Sequence, residues 1–167
     1  MLSLLRHFFG LSLVAILAAC SDGSAVIEAR VEENAGPDNF EVSRLLDDIR
    51  MQNRLPGLKR SPRLDVAARR HATDMARNGF FSHQSPTTGA VGERVSASGY
   101  QWCFVAENIA RGQRTEAVVL NSWLRSPGHR KNILSKRAEE FGFARASEPG
   151  AAQRPVWVMV LAGRRCR

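Results

Sequence analysis

The chain has 167 residues, of which 44% are apolar and 24% are charged, and its formal net charge is +8 at pH 7. This length fits one domain with a sizeable core, and the composition excludes a disordered or fibrous chain. The positive charge favours anionic partners, but no interleaving of aromatic and basic residues predicts a nucleic-acid platform, so nucleic acid is not an expected partner.

The N-terminus has the features of an export signal. Arg6 and His7 precede an apolar run from Phe8 to Ala19, and the first acidic residue is Asp22. As a helix this run would span only about 18 Å, whereas a hydrocarbon core is about 30 Å thick. We therefore expect cleavage of the segment rather than a permanent transmembrane helix.

The apolar run ends in the sequence LAAC, which resembles the bacterial lipobox. This predicts a signal peptide over residues 1–19 and a diacylglycerol on Cys20, and several acyl chains would anchor the protein firmly to a membrane. An ordinary signal peptide followed by a chance cysteine is the alternative. Because Ser21 would be the second mature residue, analogy with enteric lipoproteins favours the outer membrane, facing the periplasm, over the inner membrane within the cell envelope.

Residues 20–37 are predicted to be a lipidated N-terminus and flexible tether, followed by a domain over residues 38–167. The tether has no sustained apolar period and ends in Gly36-Pro37. Beyond it, apolar residues at positions i, i+3, i+4 and i+7 predict a first amphipathic helix that ends before Pro56. These residues are Val42, Leu45, Leu46 and Ile49.

Three further helices are predicted in the middle of the chain. Ser61 and Pro62 supply an N-cap and a first-turn proline, and Gly79 supplies a stop for the helix between them. Shorter helices are predicted over residues 90–98 and 115–125. The pair Ser126-Pro127 then repeats the cap-and-proline signal.

Towards the C-terminus the apolar period shifts towards two. Residues 141–144 and 155–161 are predicted as strands, and a third strand is predicted around residues 104–109. Helices first and strands mostly later predict an α+β fold in which a small antiparallel sheet is covered by helices.

With Cys20 assigned to lipid, Cys103 and Cys166 remain as an even pair in a compartment where disulfides persist, which predicts that they are joined. On the chain-entropy model, closing this loop stabilises the fold by about 4 kcal/mol. A reactive thiol at Cys103 is the alternative. It is disfavoured because Trp102 and Phe104 flank it, and apolar surroundings oppose the thiolate.

The standard hydrolase signatures GxSxG, HExxH, Walker A and CxxC do not occur in the sequence. Three separated polar residues in apolar or tightly turned settings are the candidates for chemistry. They are His83 in FFSH, Glu107 in AENI and His129 in SPGHR. Their spacing alone does not connect them.

Over about residues 42–161 the chain resembles the CAP superfamily of cysteine-rich secretory, antigen 5 and pathogenesis-related proteins, in its bacterial SCP form. Five ordered segments carry the resemblance: His71-Ala72 through Met75 to Phe81-Ser82-His83, then Gly99-Tyr100, then AENIA at 106–110, then Trp123 with SPGHR at 126–130 and NIL at 132–134, and finally FGF at 141–143.

The resemblance implies an α-β-α sandwich with a central cleft, where family members place two histidines and acidic residues that in several cases hold a divalent metal. Residue by residue, His83, Glu107 and His129 match these positions, and the second acidic position falls on Ser126. The four residues are therefore the predicted ligand cleft, and the first three are the predicted metal ligands.

Two neutral imidazoles and one carboxylate are an adequate ligand set for Zn²⁺ with one open position, so Zn²⁺ or another divalent cation is the candidate cofactor. In the first turn of a helix, the dipole favours the neutral form of His129. Without a metal, the same cluster can hold a polar ligand through hydrogen bonds.

Structural interpretations stand beside these functional ones. His71 lies on the apolar face of its helix and is predicted to be a core histidine, and Glu107 can serve only to tie down loop backbone. A basic stretch is predicted to be a solvated face, with contact to anionic lipid as the alternative. It comprises Arg125, Arg130, Lys131, Lys136 and Arg137.

The leading functional hypothesis is a membrane-anchored, non-enzymatic binding module for a lipid, glycan or envelope-protein ligand. The alternative is a metal-dependent hydrolase of peptide or cell-envelope polymer, with Glu107 as base and Zn²⁺ activating a water between His83 and His129. A third hypothesis is an envelope structural protein in which the cleft residues only stabilise the fold. The oligomeric state is left open.

Overall fold

The structure is a computed structural model that describes residues 39–147 and 154–166. The predicted signal peptide over residues 1–19, the lipidation site Cys20 and the tether to residue 37 lie outside the described residues. Within the described ranges, no helix has both the length and the apolar character needed to cross a membrane.

Five helices and four strands make up the described chain. In order they are α1 (Asn39–Gln52), β1 (Lys59–Arg60), α2 (Pro62–Asn78), α3 (Val91–Ala97), β2 (Phe104–Arg111), α4 (Glu116–Arg125), α5 (Pro127–Ile133), β3 (Glu140–Ala146) and β4 (Val156–Gly163). The helices and strands predicted from sequence are confirmed. The first-turn proline signal at Pro127 begins the short helix α5, and β1 was not predicted.

The strands form one sheet in the order β1-β3-β4-β2. Strand β4 pairs antiparallel with both β2 and β3, as predicted for the sheet. Strand β1 pairs parallel with β3, which makes the sheet mixed rather than purely antiparallel. Because β1 has only two residues, it is too short to show an apolar period.

Strand β4 is buried on both faces and divides the core into two layers. Trp157, Met159 and Leu161 pack with apolar residues of α1, α4 and α5. The alternating residues Val158 and Val160 pack instead with residues of α2 and α3. Since side chains of a strand alternate between its faces, this pattern gives the α-β-α sandwich that the resemblance implied.

Helix α2 packs closely on β3. It begins at Pro62 and ends at Gly79, which adopts a positive φ of 67°. At Gly142 of β3, an added Cβ would collide with the backbone of Leu64 and Asp65. The glycine in the FGF segment is therefore what permits this close contact between helix and sheet.

Strand β2 is an edge strand, and side chains from the next two helices reach its carbonyl groups. Trp123 Nε1 of α4 donates to the carbonyl oxygen of Ile109 at 3.1 Å. Asn132 Nδ2 of α5 donates to the carbonyl oxygen of Glu107 at 3.3 Å. These bonds fix α4 and α5 against the strand that carries the candidate site.

A disulfide joins Cys103 and Cys166, as predicted, with a Cα–Cα distance of 5.0 Å. The two cysteines flank paired strand ends, because Phe104 at the start of β2 is the register partner of Gly163 at the end of β4. The disulfide therefore fastens the chain after β4 to the chain before β2.

Arg50 of α1 is fully buried and was not singled out in the sequence. Its guanidinium donates to the carbonyl oxygens of Pro56, Ile133 and Ser135. Burial lowers the pKa of Arg50, but these carbonyl groups satisfy its N–H donors. The side chain thereby ties α1 to the C-terminal end of α5, where helix carbonyl groups lack intrahelical partners.

Candidate functional site

Glu107 of β2 is the centre of a buried polar cluster. Its side chain is 2% exposed, and its two carboxylate oxygens have different partners. His83 Nδ1 lies 2.8 Å from Oε1, and Arg94 Nη2 lies 2.6 Å from Oε2. The carboxylate therefore joins an imidazole from the loop after α2 to a guanidinium from α3.

The contact with Glu107 fixes the protonation of the His83 ring. A carboxylate can only accept hydrogen bonds, so the proton of a neutral His83 lies on Nδ1. Nε2 then carries the lone pair, and the side chain as a whole is 57% exposed. His83 thus offers a solvent-facing acceptor whose orientation is set by a buried anion.

Arg94 is a buried member of this cluster that the sequence analysis missed. Its guanidinium donates to the carbonyl oxygens of Gly89 and His83 in addition to Glu107. An arginine next to the buried Val95 in a seven-residue helix gives no clear sequence signal, because short helices show no complete amphipathic period. Its role is to balance the charge of Glu107 and hold the His83 loop.

His71 is fully buried, consistent with its interpretation as a core histidine. Its Nε2 donates to the carbonyl oxygen of Ser82 at 2.9 Å and lies 3.7 Å from Glu107 Oε1. Burial lowers the pKa of His71, so the ring is neutral near pH 7. His71 therefore supports the backbone immediately before His83.

His129 lies in the first turn of α5 and is half-buried. Burial is the main cause that lowers the pKa of His129, and the charge of His83 lowers it further. This electrostatic interaction places the two imidazoles near each other. The neutral state expected for His129 thus follows here from desolvation and a like charge.

Neighbouring residues of β2 connect the two histidine segments. Glu107 binds the ring of His83, whereas the Asn108 amide donates to the carbonyl oxygen of His129 at 3.1 Å. Asn132 Nδ2 in turn donates to Asn108 Oδ1 at 2.9 Å. Because adjacent strand residues face opposite sides of a sheet, these two residues attach a loop from each side to one edge.

A cavity of about 350 Å³ opens beside His129. Ser126 and His129 of the predicted cleft line it, whereas His83 and Glu107 are not among its lining residues. The lining residues are Phe81, Ile109, Ala110, Arg111, Gln113, Ser122, Trp123, Ser126 and His129. The cleft is thus divided into a buried Glu107 cluster with an exposed His83, and an adjoining cavity next to His129.

The predicted metal ligands do not fit a three-residue site in this arrangement. Catalytic zinc usually has three protein ligands, but both oxygens of Glu107 are engaged by Arg94 and His83. Across residues 39–147 and 154–166, no group of three or more His, Cys, Asp or Glu side chains is placed to hold a metal ion. Glu107 is therefore placed to orient His83 rather than to bind an ion itself.

Comparison with known proteins adds independent information. The model of the cysteine-rich secretory protein family, CAP, matches residues 44–161. The protein YkwD of Bacillus subtilis is 35% identical over 102 residues, which cover 61% of this chain and 40% of YkwD. The membrane protein YlbC of the same bacterium is 28% identical over 102 residues and is covered to 30%. The chain thus spans less than half of the length of these relatives.

Solved structures show the same fold. An extracellular protein containing an SCP domain from Bacillus anthracis has a TM-score of 0.68 and 28% identity, and the match covers 74% of this chain and 39% of that protein. An outer surface protein of Borrelia burgdorferi has a TM-score of 0.67 at 18% identity, covering 79% of this chain and 99% of that protein. With the family match across most of the described domain, the chain belongs to the CAP family of cysteine-rich secretory proteins.

Proposed function

We propose that the protein is an exported binding module, anchored by lipid at Cys20 and facing the periplasm from the outer membrane. Its ligand is a lipid, glycan or envelope protein that contacts His83, His129 and Ser126, with Glu107 beneath His83. The observation that carries the proposal is the paired state of the Glu107 carboxylate, because it favours holding a ligand over catalysing its hydrolysis.

A general base must have an oxygen available to take a proton from water. Glu107 is 6% exposed, and both of its oxygens already accept charge-assisted or imidazole hydrogen bonds. An ion pair with the buried Arg94 also stabilises the carboxylate in its charged form. Glu107 is therefore better placed to orient His83 than to activate a water molecule.

The groups that remain for a ligand are polar and uncharged at neutral pH. His83 Nε2 offers an acceptor, and His129 offers a second imidazole whose pKa is lowered. Such groups suit hydroxyl and amide groups, which both donate and accept hydrogen bonds. They are supplied by glycans, by peptides and by the headgroups of many lipids.

The proposed location rests on the sequence and on the relatives. The sequence has an export signal that ends in LAAC, and its net charge of +8 suits an anionic membrane surface. Among similar proteins, one is described as extracellular, one as an outer surface protein and one as a membrane protein. These descriptions support a position in the cell envelope.

A metal-dependent hydrolase is the second candidate. The specific observation in its favour is the hydrogen bond between Glu107 and His83 Nδ1, because a carboxylate behind an imidazole also orients metal-binding histidines. In that case Glu107 would act behind His83, and the two imidazoles would have to be joined by ligands other than protein carboxylates.

Binding assays with the purified full chain test the proposal. The parent protein, the double variant His83→Ala/His129→Ala and the control Lys131→Ala are titrated with envelope lipids, glycans and peptides. Lys131 is an exposed residue of the same helix as His129, so it controls for surface changes. We expect the parent and the control to retain a ligand that the double variant loses. Turnover of a peptide or envelope polymer by the parent, lost in the double variant, would instead support the hydrolase.

A further inference from the structure

We infer that the cavity beside His129 binds the C-terminal end of a peptide, with its carboxylate at Arg111, its last amide N–H at Gln113 and a small apolar side chain between Phe81 and Trp123. This inference rests on the binding function proposed above and names the ligand class for that site. It follows from three separate properties of the cavity wall.

The first property is a fixed cation. Arg111 is the last residue of β2, and its Nη2 donates to the carbonyl oxygen of Phe80 at 2.6 Å. The guanidinium also lies 5.0 Å from the centroid of the Phe81 ring. Among the described residues that line the cavity, none is acidic. A guanidinium held in this way presents a planar set of donors that matches a carboxylate.

The second property is a buried acceptor. Gln113 lines the cavity, and its Oε1 is buried with no hydrogen-bond partner in the described part of the chain. Its backbone carbonyl accepts a hydrogen bond from Trp157 Nε1 at 2.8 Å, so the residue is held in place. A buried acceptor without a partner is unfavourable, and a ligand N–H can satisfy it. A fatty acid has a carboxylate but no such donor.

The third property is an apolar wall of limited size. Phe81 is 44% exposed, and the Trp123 ring is fixed by its bond to the carbonyl oxygen of Ile109. The volume of about 350 Å³ lies near the lower end of ligand pockets, which hold roughly 300–1,000 Å³. The cavity therefore suits a chain end with one apolar side chain better than a long polymer segment.

Three small probes separate these contributions without any change to the protein. N-acetyl-L-leucine carries the carboxylate, the N–H and the apolar group, its amide lacks the carboxylate, and 4-methylpentanoate lacks the N–H. Calorimetric titration of the full chain should give the highest affinity for N-acetyl-L-leucine. Loss of either polar group should weaken binding by about 10-fold, since each removes a hydrogen bond to a desolvated partner.

Variants assign each preference to its residue. Arg111→Gln should abolish the preference for the acid over the amide, whereas Arg114→Gln removes the same charge from an exposed position three residues later and should leave it intact. Gln113→Leu should abolish the preference for N-acetyl-L-leucine over 4-methylpentanoate. Thermal unfolding of each variant checks that it remains folded, and the probe comparison on the parent stands even where a variant does not fold.

Two results would overturn the inference. One is absence of binding by N-acetyl-L-leucine, and the other is equal affinity for all three probes. If the assays of the previous section find a lipid or glycan whose binding needs His83 and His129, the binding function stands while the peptide inference fails. If no ligand of any class binds, both fail together. Equal binding of 4-methylpentanoate and N-acetyl-L-leucine would point to a simple carboxylate pocket and overturn the role of Gln113.

Discussion

His83 Nδ1 lies 2.8 Å from Glu107 Oε1, although 24 positions separate the two residues in the sequence. One belongs to the exposed loop after α2 and the other to the buried part of β2. The hydrogen bond therefore connects a solvent-facing imidazole to the interior ion pair of Glu107 and Arg94. Changes at Glu107 should consequently affect both the stability of the fold and the orientation of the ligand-binding ring.

Glu107→Gln should lower the free energy of unfolding by about 3–5 kcal/mol, because it leaves the buried Arg94 guanidinium without its counter-charge. Chemical denaturation of the parent and the variant measures the change. Asp48→Asn is the matched control, since Asp48 forms an exposed pair with Arg44 at 3.7 Å and should contribute less than about 1 kcal/mol. Equal effects of the two substitutions would contradict the assigned role of Glu107.

Zn²⁺ should stabilise the parent protein by less than about 1 kcal/mol when added at about 100 µM, because weak binding gives only a small linkage effect. The physical reason is that Arg94 and His83 already engage the Glu107 carboxylate, so no third protein ligand is available. Thermal unfolding with Zn²⁺ and with a chelator measures the shift. A stabilisation of several kcal/mol that disappears in His83→Ala and in His129→Ala would instead show a metal site and favour the hydrolase.

Gly142→Ala should destabilise the fold by about 1–3 kcal/mol, because the new Cβ would force α2 away from β3. Gly128→Ala serves as the control. A Cβ at Gly128 meets no atom within 4 Å, and alanine in a helix is favoured over glycine by up to about 1 kcal/mol. The two glycine substitutions should therefore change the midpoint of denaturation in opposite directions.

Stability should decrease as the pH falls below about 6.5, the ordinary pKa of histidine. Burial lowers the pKa of His71 and of His129 in the folded protein, so the unfolded chain takes up protons first as the pH falls. Above that pH both states are neutral at these residues and the contribution is constant. His71 faces Glu107, Arg94 and Asp74, whose charges accompany the effect of burial.

Denaturation curves between pH 5 and pH 8 measure this dependence, on the order of the range where histidines titrate. His71→Asn should reduce the slope of stability against pH, whatever its effect on stability itself. His83→Asn is the comparison, because its exposed ring should contribute little to the slope through burial. An unchanged slope in His71→Asn would contradict the assignment.

Local signals allowed most of the fold to be predicted from sequence. Pro62 and Gly79 bound α2 as expected, and the apolar run in β4 is a strand buried on both faces. Strand β1 escaped prediction because its two residues are defined by pairing with β3 rather than by their own pattern. The parallel component of the sheet could therefore be seen only in three dimensions.

The candidate site was only partly predictable, for a different physical reason. His83, Glu107 and His129 were singled out by their settings and by the family resemblance, since no spacing rule joins them. Arg94 and Asn132 act through contacts with distant residues and carry no local signal of that role. The engagement of Glu107 by Arg94, which alters its expected chemistry, depends on how α3 packs against β2.

The side chains of Trp123 and Asn132 have a consequence for how the protein behaves when crowded. An open strand edge is a template on which another chain can add a strand. Here the carbonyl groups of Ile109 and Glu107 already accept hydrogen bonds from α4 and α5. A second chain could extend the sheet at β2 only after both helices had moved, so the covered edge should resist aggregation.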